Sequence, residues 1–323
     1  MRALRFDRYG AADVLHVEDI PEPSPGPGEV KVRVHAVSLN PLDWKIRAGH
    51  LRFVPVLRGP PRGLGTDFAG EIVGVGGGAM SRHVGERVFG SLMPFARQGA
   101  LSEHVVVSAD RVVPIPGNLS FDDVSTLPVA GGTALQALVD VARLAAGQRV
   151  LITGAAGGVG HFAVQIAKHL GARVVGACSA GNAAFVRSLG ADEVIDYAND
   201  DFTRRADRFD VVFDAAGGSS FSAARRVLDE TGCYINTCGS TAAAVGTAAS
   251  AIAARFTSRQ RVVPFALKNV PATWQRLGAL AQERVLRPHI ERTIALDDVA
   301  DAQRAMESGH GRGKVVVRIA GPR

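Results

Sequence analysis

The chain has 323 residues, 46% hydrophobic and 21% charged, a balance that excludes a disordered or fibrous chain and supplies apolar material for two domains rather than one. Its net charge of +6 comes from 37 basic against 31 acidic residues spread along the sequence, with only short groups such as Arg204-Arg205 and Arg225-Arg226, so no nucleic-acid stripe and no nucleic-acid partner are expected. No apolar run is long enough to cross a bilayer, residues 1–7 lack the apolar core of a signal peptide, and Cys178, Cys233 and Cys238 offer no paired framework, which together lead us to expect a cytoplasmic protein with reduced thiols and no membrane partner.

The first third reads as β-structure. After a Pro/Gly turn cluster at 21–28, Val30, Val32, Val34 and Ala36 alternate with Lys31, Arg33 and His35, which puts His35 on the outer face of a strand. Short β-segments follow at 71–75, 86–89, 104–107 and 111–115, separated by glycine and proline, so this part is expected to form a small barrel or folded sheet. Near Pro116-Gly117 the pattern changes. Ser120 or Asp122 can cap a helix, and 133–144 is helical by period, with Leu135, Leu138, Val139 and Ala142 inward.

The chain's central motif comes next. Val150, Leu151 and Ile152 make the apolar run of a strand buried on both faces. The stretch after His161 changes period, with Phe162, Ile166 and Leu170 on one helical stripe, and 172–178 reads as a second strand. Between strand and helix stands Ala155-x-Gly157-x-x-Gly160, the dinucleotide fingerprint with Ala in its first glycine slot. The middle glycine lets the backbone approach a pyrophosphate, the last lets the helix pack tightly on the sheet, and the N–H groups opening the helix face the phosphate charge. A complete βαβ context makes the motif specific.

The end of the second strand bears on which dinucleotide is bound. A site for NAD carries an acid there to hold the ribose 2′-hydroxyl, whereas this strand runs into Cys178-Ser179-Ala180-Gly181-Asn182, with Asp192 the first acid afterwards. Ser179 and Asn182 can donate hydrogen bonds to a 2′-phosphate, and Arg187 and Arg173 add positive charge, so NADPH is the expected cofactor.

Strands and helices then alternate: 193–196, 210–213, a helix at 220–228 and a strand at 233–237, which predicts a doubly wound parallel sheet. Residues 242–254 are Ala-rich and read as a helix or as a loop beside the site. A helix with Trp274, Leu277 and Leu280 inward, another at 297–306 and a strand at 314–319 complete the chain. Cys238, ending a sheet strand, falls near the cofactor edge or is a small buried hydrophobe, and Lys314 either touches the cofactor or sits at a strand edge. Phe53, Val54, Val56, Leu57, Met93 and Phe95 are candidates for an apolar substrate pocket. His50 is a loop histidine that could donate a proton, and His161 is read as pointing to solvent.

Several stretches together resemble the zinc-independent branch of the medium-chain dehydrogenase/reductase superfamily, the quinone oxidoreductase (zeta-crystallin-like) family. They are residues 38–49 (Ser-Leu-Asn-Pro-Leu-Asp-Trp-Lys-Ile-Arg-Ala-Gly), 65–76 (Gly-Thr-Asp-Phe-Ala-Gly-Glu-Ile-Val-Gly-Val-Gly), 85–90, 155–160, 189–197 and 313–317. The resemblance implies an α/β chain: a GroES-like β-domain from residues 1–120 and 265–323, a Rossmann NADP-binding domain, 121–264, a doubly wound parallel sheet, an active site in the cleft and a homodimer. It implies that Asn40 approaches the nicotinamide ribose, that Thr133 and the turn containing Gly154, Ala156, Gly157, Gly158 and Val159 hold the diphosphate, and that Ser179, Asn182 and Tyr197 surround the 2′-phosphate. Relatives often carry Tyr in the region of Trp44, which is placed in the substrate pocket.

The zinc-dependent branch needs Cys, His and carboxylate ligands in its first domain and four further cysteines. Residues 1–177 contain no cysteine, and Gly65-Thr66-Asp67 stands where that branch has Gly-His-Glu, so no metal site is expected. Without a metal the substrate must already be electrophilic: a quinone or an α,β-unsaturated carbonyl, with hydrogen bonds stabilising the developing oxygen charge. Asn40 is the first choice for that polar contact. Asp43 is the second, with an equally weighted reading in which it structures the turn after Asn40-Pro41. The expected function is an NADPH-dependent reductase of quinones or enones. The alternatives are an enoyl reductase of carrier-bound acyl substrates and a non-catalytic NADPH-binding regulatory protein.

Overall fold

Alternating apolar and polar side chains make the first third a run of extended strands. In the computed structural model, which describes residues 1–54, 59–79, 81–94, 96–117, 119–237, 241–309 and 311–319, these are β1 (Arg2–Phe6), β2 (His16–Asp19), β3 (Glu29–Ser38), β4 (Arg62–Gly63), β5 (Asp67–Val75), β6 (Arg87–Ser91), β7 (His104–Ser108) and β8 (Val112–Pro114), with helix α1 (Pro41–Arg47) after β3. Helices α2 (Phe121–Ser125) and α3 (Gly132–Leu135) lead into β9 (Arg149–Thr153), α4 (Gly160–His169), β10 (Arg173–Cys178), α5 (Ala183–Ser188), β11 (Glu193–Asp196), β12 (Phe209–Asp214), α6 (Phe221–Ala224), β13 (Leu228–Asn236), α7 (Thr241–Thr257) and β14 (Arg261–Pro264). The chain ends with α8 (Pro271–Gln282), β15 (Ile290–Ala295), α9 (Val299–Glu307) and β16 (Lys314–Arg318).

The chain divides into two compact units, one of Met1–Ala130, Asn269–Arg284 and Pro288–Arg323, the other of Gly131–Lys268 and Val285–Arg287. The division falls up to ten residues later than the positions 120/121 and 264/265 read from the sequence.

In the first unit a sheet of order β15-β16-β3-β5-β6-β8, with β7 also paired to β3, stands beside a three-stranded sheet β2-β1-β4. The registers Ser38↔Asp67 and Val316↔Ser38 bring the end of β3, the start of β5 and the start of β16 to one place. Val30, Val32, Val34, Phe68, Ile72, Val88, Val315 and Val317 are buried in its core. The opposite face of β3 is not left to water. Ser120 caps α2 by accepting from Asp123 N, and Phe121 of that helix stacks on His35 with ring centroids 4.4 Å apart. His35 is therefore half-buried under α2 rather than outward, and burial holds its imidazole below the usual pKa.

The second unit carries a six-stranded sheet of order β11-β10-β9-β12-β13-β14, every neighbouring pair parallel. The order reverses between β9 and β12, which makes their carboxyl ends the switch point where a doubly wound sheet binds its ligand. Phe162, Ala163, Ile166 and Ala167 of α4 are buried, as their spacing predicts. Residues 133–144 are helical but change type: α3 gives way at Gln136–Ala142 to wider π-helical turns, closed by Arg143 in the left-handed region. Leu135 and Leu138 are buried there, and Val139 and Ala142 are half-buried. The helix expected at 220–228 is only the four-residue α6, because β13 already starts at Leu228, and 242–254 lies wholly within α7.

Candidate functional site

The fingerprint turn is built from two glycines with different duties. At Gly160 a Cβ would lie 2.1 Å from Gly154 O, so only glycine lets α4 start this close to the end of β9. At Gly157 a Cβ would meet only Gly154 O, at 3.3 Å, a contact relieved by a few tenths of an ångström, so packing demands glycine there far less than at Gly160. Helix α4 begins without a side-chain cap; Gly157 N–H donates to Gly154 O and His161 N–H to Gly157 O, so the amides between them, of residues 158–160, are those an anion would meet. The turn is tied to the neighbouring strand by Ala155 N–H donating to Ala177 O. Thr133 is buried in α3, which packs on α4.

Next to the turn, at the carboxyl end of β10, Ser179 and Asn182 are half-buried, with Asn182 Nδ2 donating to Ser179 Oγ at 3.2 Å. Tyr197 follows β11, 52% exposed, its N–H donating to Cys178 O. Arg187 of α5 is close enough to stabilise a Cys178 thiolate, although burial outweighs it and pushes the thiol up. Arg173 does not join this group. It begins β10, at the opposite end of the strand, and Asp192, just before β11, lies at that same end, its carboxylate accepting from Val174 N and Lys168 Nζ. The acid that does end beside Cys178 is Asp196, in register with it across the β10–β11 pair and turned onto Ala198 N and Asn199 Nδ2.

His161, read as solvent-facing, is fully buried, with Nδ1 against Gly157 O, because the first turn of α4 sits inside the unit. Cys238 lies outside the described residues.

At the switch point stands a group that sequence reasoning missed. Asp214, ending β12, accepts from Thr153 Oγ1 of β9, from Gly217 N at 2.9 Å, from Ser219 N and Oγ at 2.8 Å each, and from Asn236 Nδ2 at 2.9 Å. Tyr234 O–H donates to Ser219 O, and its burial in this network pushes its pKa up to about 12. A buried carboxylate with this many donors fixes the loop 215–220, which lines a cavity of about 680 Å³ with Thr203, Thr247 and Ser250. The signal was an aspartate closing the apolar run Val211-Val212-Phe213 before Ala-Ala-Gly-Gly-Ser.

In the first unit Asn40, Asp43, Asp67 and Lys314 are each no more than 3% exposed and lie together. Asn40 precedes α1 and Asp43 is the third residue of that helix. The backbone N–H of Asn40 donates to Asp43 Oδ2 at 2.7 Å, and Gly65 N–H donates to Asp43 Oδ1 at 3.1 Å. Asp43 thus spends one oxygen on the turn that opens α1 and the other on Gly65 before β5, and is buried.

Burial pushes the Asp43 carboxyl up to about 6. Because its folded pKa lies above the unfolded value, the folded state holds the extra proton between about pH 4 and 6, and Asp43's contribution to stability falls as pH rises through that window. Urea unfolding of the protein and of Asp43→Asn should show the difference in stability shifting toward the variant from pH 4 to pH 6; a pH-independent difference would contradict the assignment.

Asn40 Nδ2 donates to Asp67 Oδ2 at 3.0 Å, and Lys314 Nζ donates to Asn40 Oδ1 at 2.6 Å and to Leu39 O at 2.8 Å. Burial pushes Asp67 up and Lys314 down, against their mutual attraction. Lys314 is not at a strand edge facing water: its strand runs between β3 and β15 and its ammonium points into the cluster, onto Leu39 O and Asn40 Oδ1.

The apolar candidates are dispersed. Trp44 is half-buried, edge-on to the exposed His50 at 5.3 Å between centroids. Phe53 is 81% exposed with Arg52 over its ring and lines no pocket formed by the described residues. Met93 is half-buried and its Sδ accepts from Arg111. Phe95, Val56 and Leu57 lie outside the described residues. Among the described residues no three of His, Cys, Asp and Glu come together as metal ligands.

Residues 26–117 match the alcohol dehydrogenase GroES-like domain family, and residues 189–317 match the family described as zinc-binding dehydrogenase. The chain is 36% identical to a chloroplast envelope quinone oxidoreductase homolog of Arabidopsis thaliana over 98% of both proteins. It is 31% identical to the 2-methylene-furan-3-one reductase of Solanum lycopersicum, over 98% of this chain and 79% of that protein. The quinone oxidoreductase of Coxiella burnetii has a similar structure, with a TM-score of 0.90 at 33% identity over 99% of both chains. With a GroES-like unit, a parallel Rossmann sheet and these relatives, the chain belongs to the quinone oxidoreductase family of the zinc-independent medium-chain dehydrogenase/reductases, a family of oxidoreductases.

Proposed function

We propose that the protein is an NADPH-dependent reductase of quinones and α,β-unsaturated carbonyls, acting without a metal. The observation that carries the reading is the carboxyl edge of the second unit's sheet, where the side-chain-free turn at Gly157, the start of α4 without a side-chain cap and the Ser179–Asn182 pair follow adjacent strands. Those residues suit a dinucleotide: the amides take the pyrophosphate and the two polar side chains take a 2′-phosphate, with Arg187 adding charge. When bound, NADPH supplies the hydride. The chain supplies position, and Asn40 supplies a hydrogen bond for the oxygen on which charge develops.

The substrate class draws support from the names of the relatives, a quinone oxidoreductase homolog and a 2-methylene-furan-3-one reductase, since a quinone and an enone are both electrophilic acceptors. The described residues bring no metal-ligand set together, and no step needs one. The test is NADPH oxidation by chelator-treated protein with 1,4-benzoquinone, 9,10-phenanthrenequinone and a medium-chain 2-enal, and NADH in parallel. Turnover that survives the chelator and prefers NADPH is the expected result. Tight NADPH binding with none of these acceptors reduced would overturn the substrate class in favour of a carrier-bound acyl substrate or a regulatory role.

A further inference from the structure

The side-chain amide of Asn40 lies between two buried groups of opposite charge. Lys314 has donors and no acceptor, and an ionised Asp67 accepts only. Lys314 Nζ stands 2.6 Å from Asn40 Oδ1, and Asn40 Nδ2 stands 3.0 Å from Asp67 Oδ2. Turned by half a rotation, the amide would set its N–H against the ammonium and its carbonyl against the carboxylate, losing both bonds. Charge therefore selects one orientation where packing alone could not, since the two ends of an amide have nearly the same size.

The backbone of Asn40 is fixed as well, by the N–H bond to Asp43, and Leu39 O accepts a second bond from Lys314. Three separate pieces of chain converge on this one side chain: the α1 entry, the start of β5 and the start of β16.

We propose that Lys314 and Asp67 are positioning residues that hold the Asn40 amide in a single orientation, so that Asn40 meets a carbonyl or hydroxyl oxygen of cofactor or substrate as a donor and never as an acceptor. The identity of that oxygen's owner rests on the reductase reading above. The remaining Nδ2 hydrogen has Ser38 O and Thr66 Oγ1 at 3.5 Å, the outer limit of a hydrogen bond, so a ligand oxygen at ordinary distance captures it. A donor held in place before the reaction is what an oxygen gaining negative charge requires.

Two measurements test this, and only the second depends on the reductase reading. The chain has six asparagines, so selective ¹⁵N-Asn labelling gives six side-chain amide pairs, with that of Asn40 identified by its loss in Asn40→Ala. In the ligand-free protein, Lys314→Met or Asp67→Asn should speed hydrogen exchange of the Asn40 amide by at least about tenfold, the loss of one charge-assisted bond. Unchanged exchange in folded variants would overturn the proposal.

In the second measurement Lys314→Met should lower kcat for quinone reduction on the order of tenfold or more, with KM for NADPH little changed, and should have no further effect in the Asn40→Ala background. Additive losses would show that Lys314 does not act through Asn40. Wild-type protein that reduces no acceptor would sink the reductase reading, while the exchange result would still decide the orientation. If Lys314→Met does not fold, the pair Lys314→Met with Asp67→Asn removes both buried charges together and is read in the same two ways.

Discussion

Gly157→Val should abolish NADPH binding in a protein that still folds. Residue 157 does not use the left-handed backbone that only glycine tolerates, and a Cβ there meets Gly154 O at 3.3 Å and nothing nearer, so a side chain fits once that oxygen gives by a few tenths of an ångström. If the turn holds the pyrophosphate as proposed, a valine projects into the space the phosphates would occupy and blocks the close backbone approach that glycine permits. The expected loss is at least about 100-fold in affinity, roughly 2.7 kcal/mol, read by quenching of NADPH fluorescence, with the melting temperature held within a few degrees. Gly160 is the control. Its Cβ would lie 2.1 Å from Gly154 O, so Gly160→Val should fail by unfolding the turn, a different loss with the same end result for binding. Full NADPH affinity in folded Gly157→Val would remove the cofactor site from this turn.

Asp214→Ala should cost stability more than any other single change at the switch point. The carboxylate receives Thr153 Oγ1, Gly217 N, Ser219 N, Ser219 Oγ and Asn236 Nδ2, and both Asp214 and Asn236 are fully buried. Truncation strands these donors. Each buried unsatisfied donor costs about 1–3 kcal/mol, and the loop can relax enough to recover part of that, so a net loss of about 3–5 kcal/mol is expected. For a unit of this size that lowers the melting temperature by roughly 10 °C in calorimetry. Asp214→Asn should lose less, because it keeps one acceptor. A melting temperature unchanged in Asp214→Ala would mean that the loop 215–220 is held by its own turns and not by the carboxylate.

The dinucleotide unit was readable because its information is local. A strand, a glycine turn and a helix adjoin in the sequence, and each glycine's duty follows from neighbours within six positions. The parallel sheet followed from the alternation of apolar runs with helical stripes, since a strand buried on both faces has no polar side to display. What the periodicity could not show was which face of a half-buried element would be covered. His35 alternates as an outward residue should, yet α2, arriving from more than eighty positions later, lays Phe121 on it. His161 sits on the first turn of α4, inside the unit, for the same reason. Arg173 and Ser179 look like neighbours in sequence, but the strand between them carries them to opposite ends of the sheet.

From sequence alone come the family, carried by motifs spread along the chain, and the glycine turn and the apolar runs that make the sheet, which rest on spacing within one segment. Only the tertiary structure joins Asn40, Asp67 and Lys314, or Thr153, Asp214 and Asn236. Each of those groups draws on strands far apart in the chain, and registers such as Ser38↔Asp67 and Val316↔Ser38 are set by many cross-strand contacts acting together, which no short stretch of residues encodes.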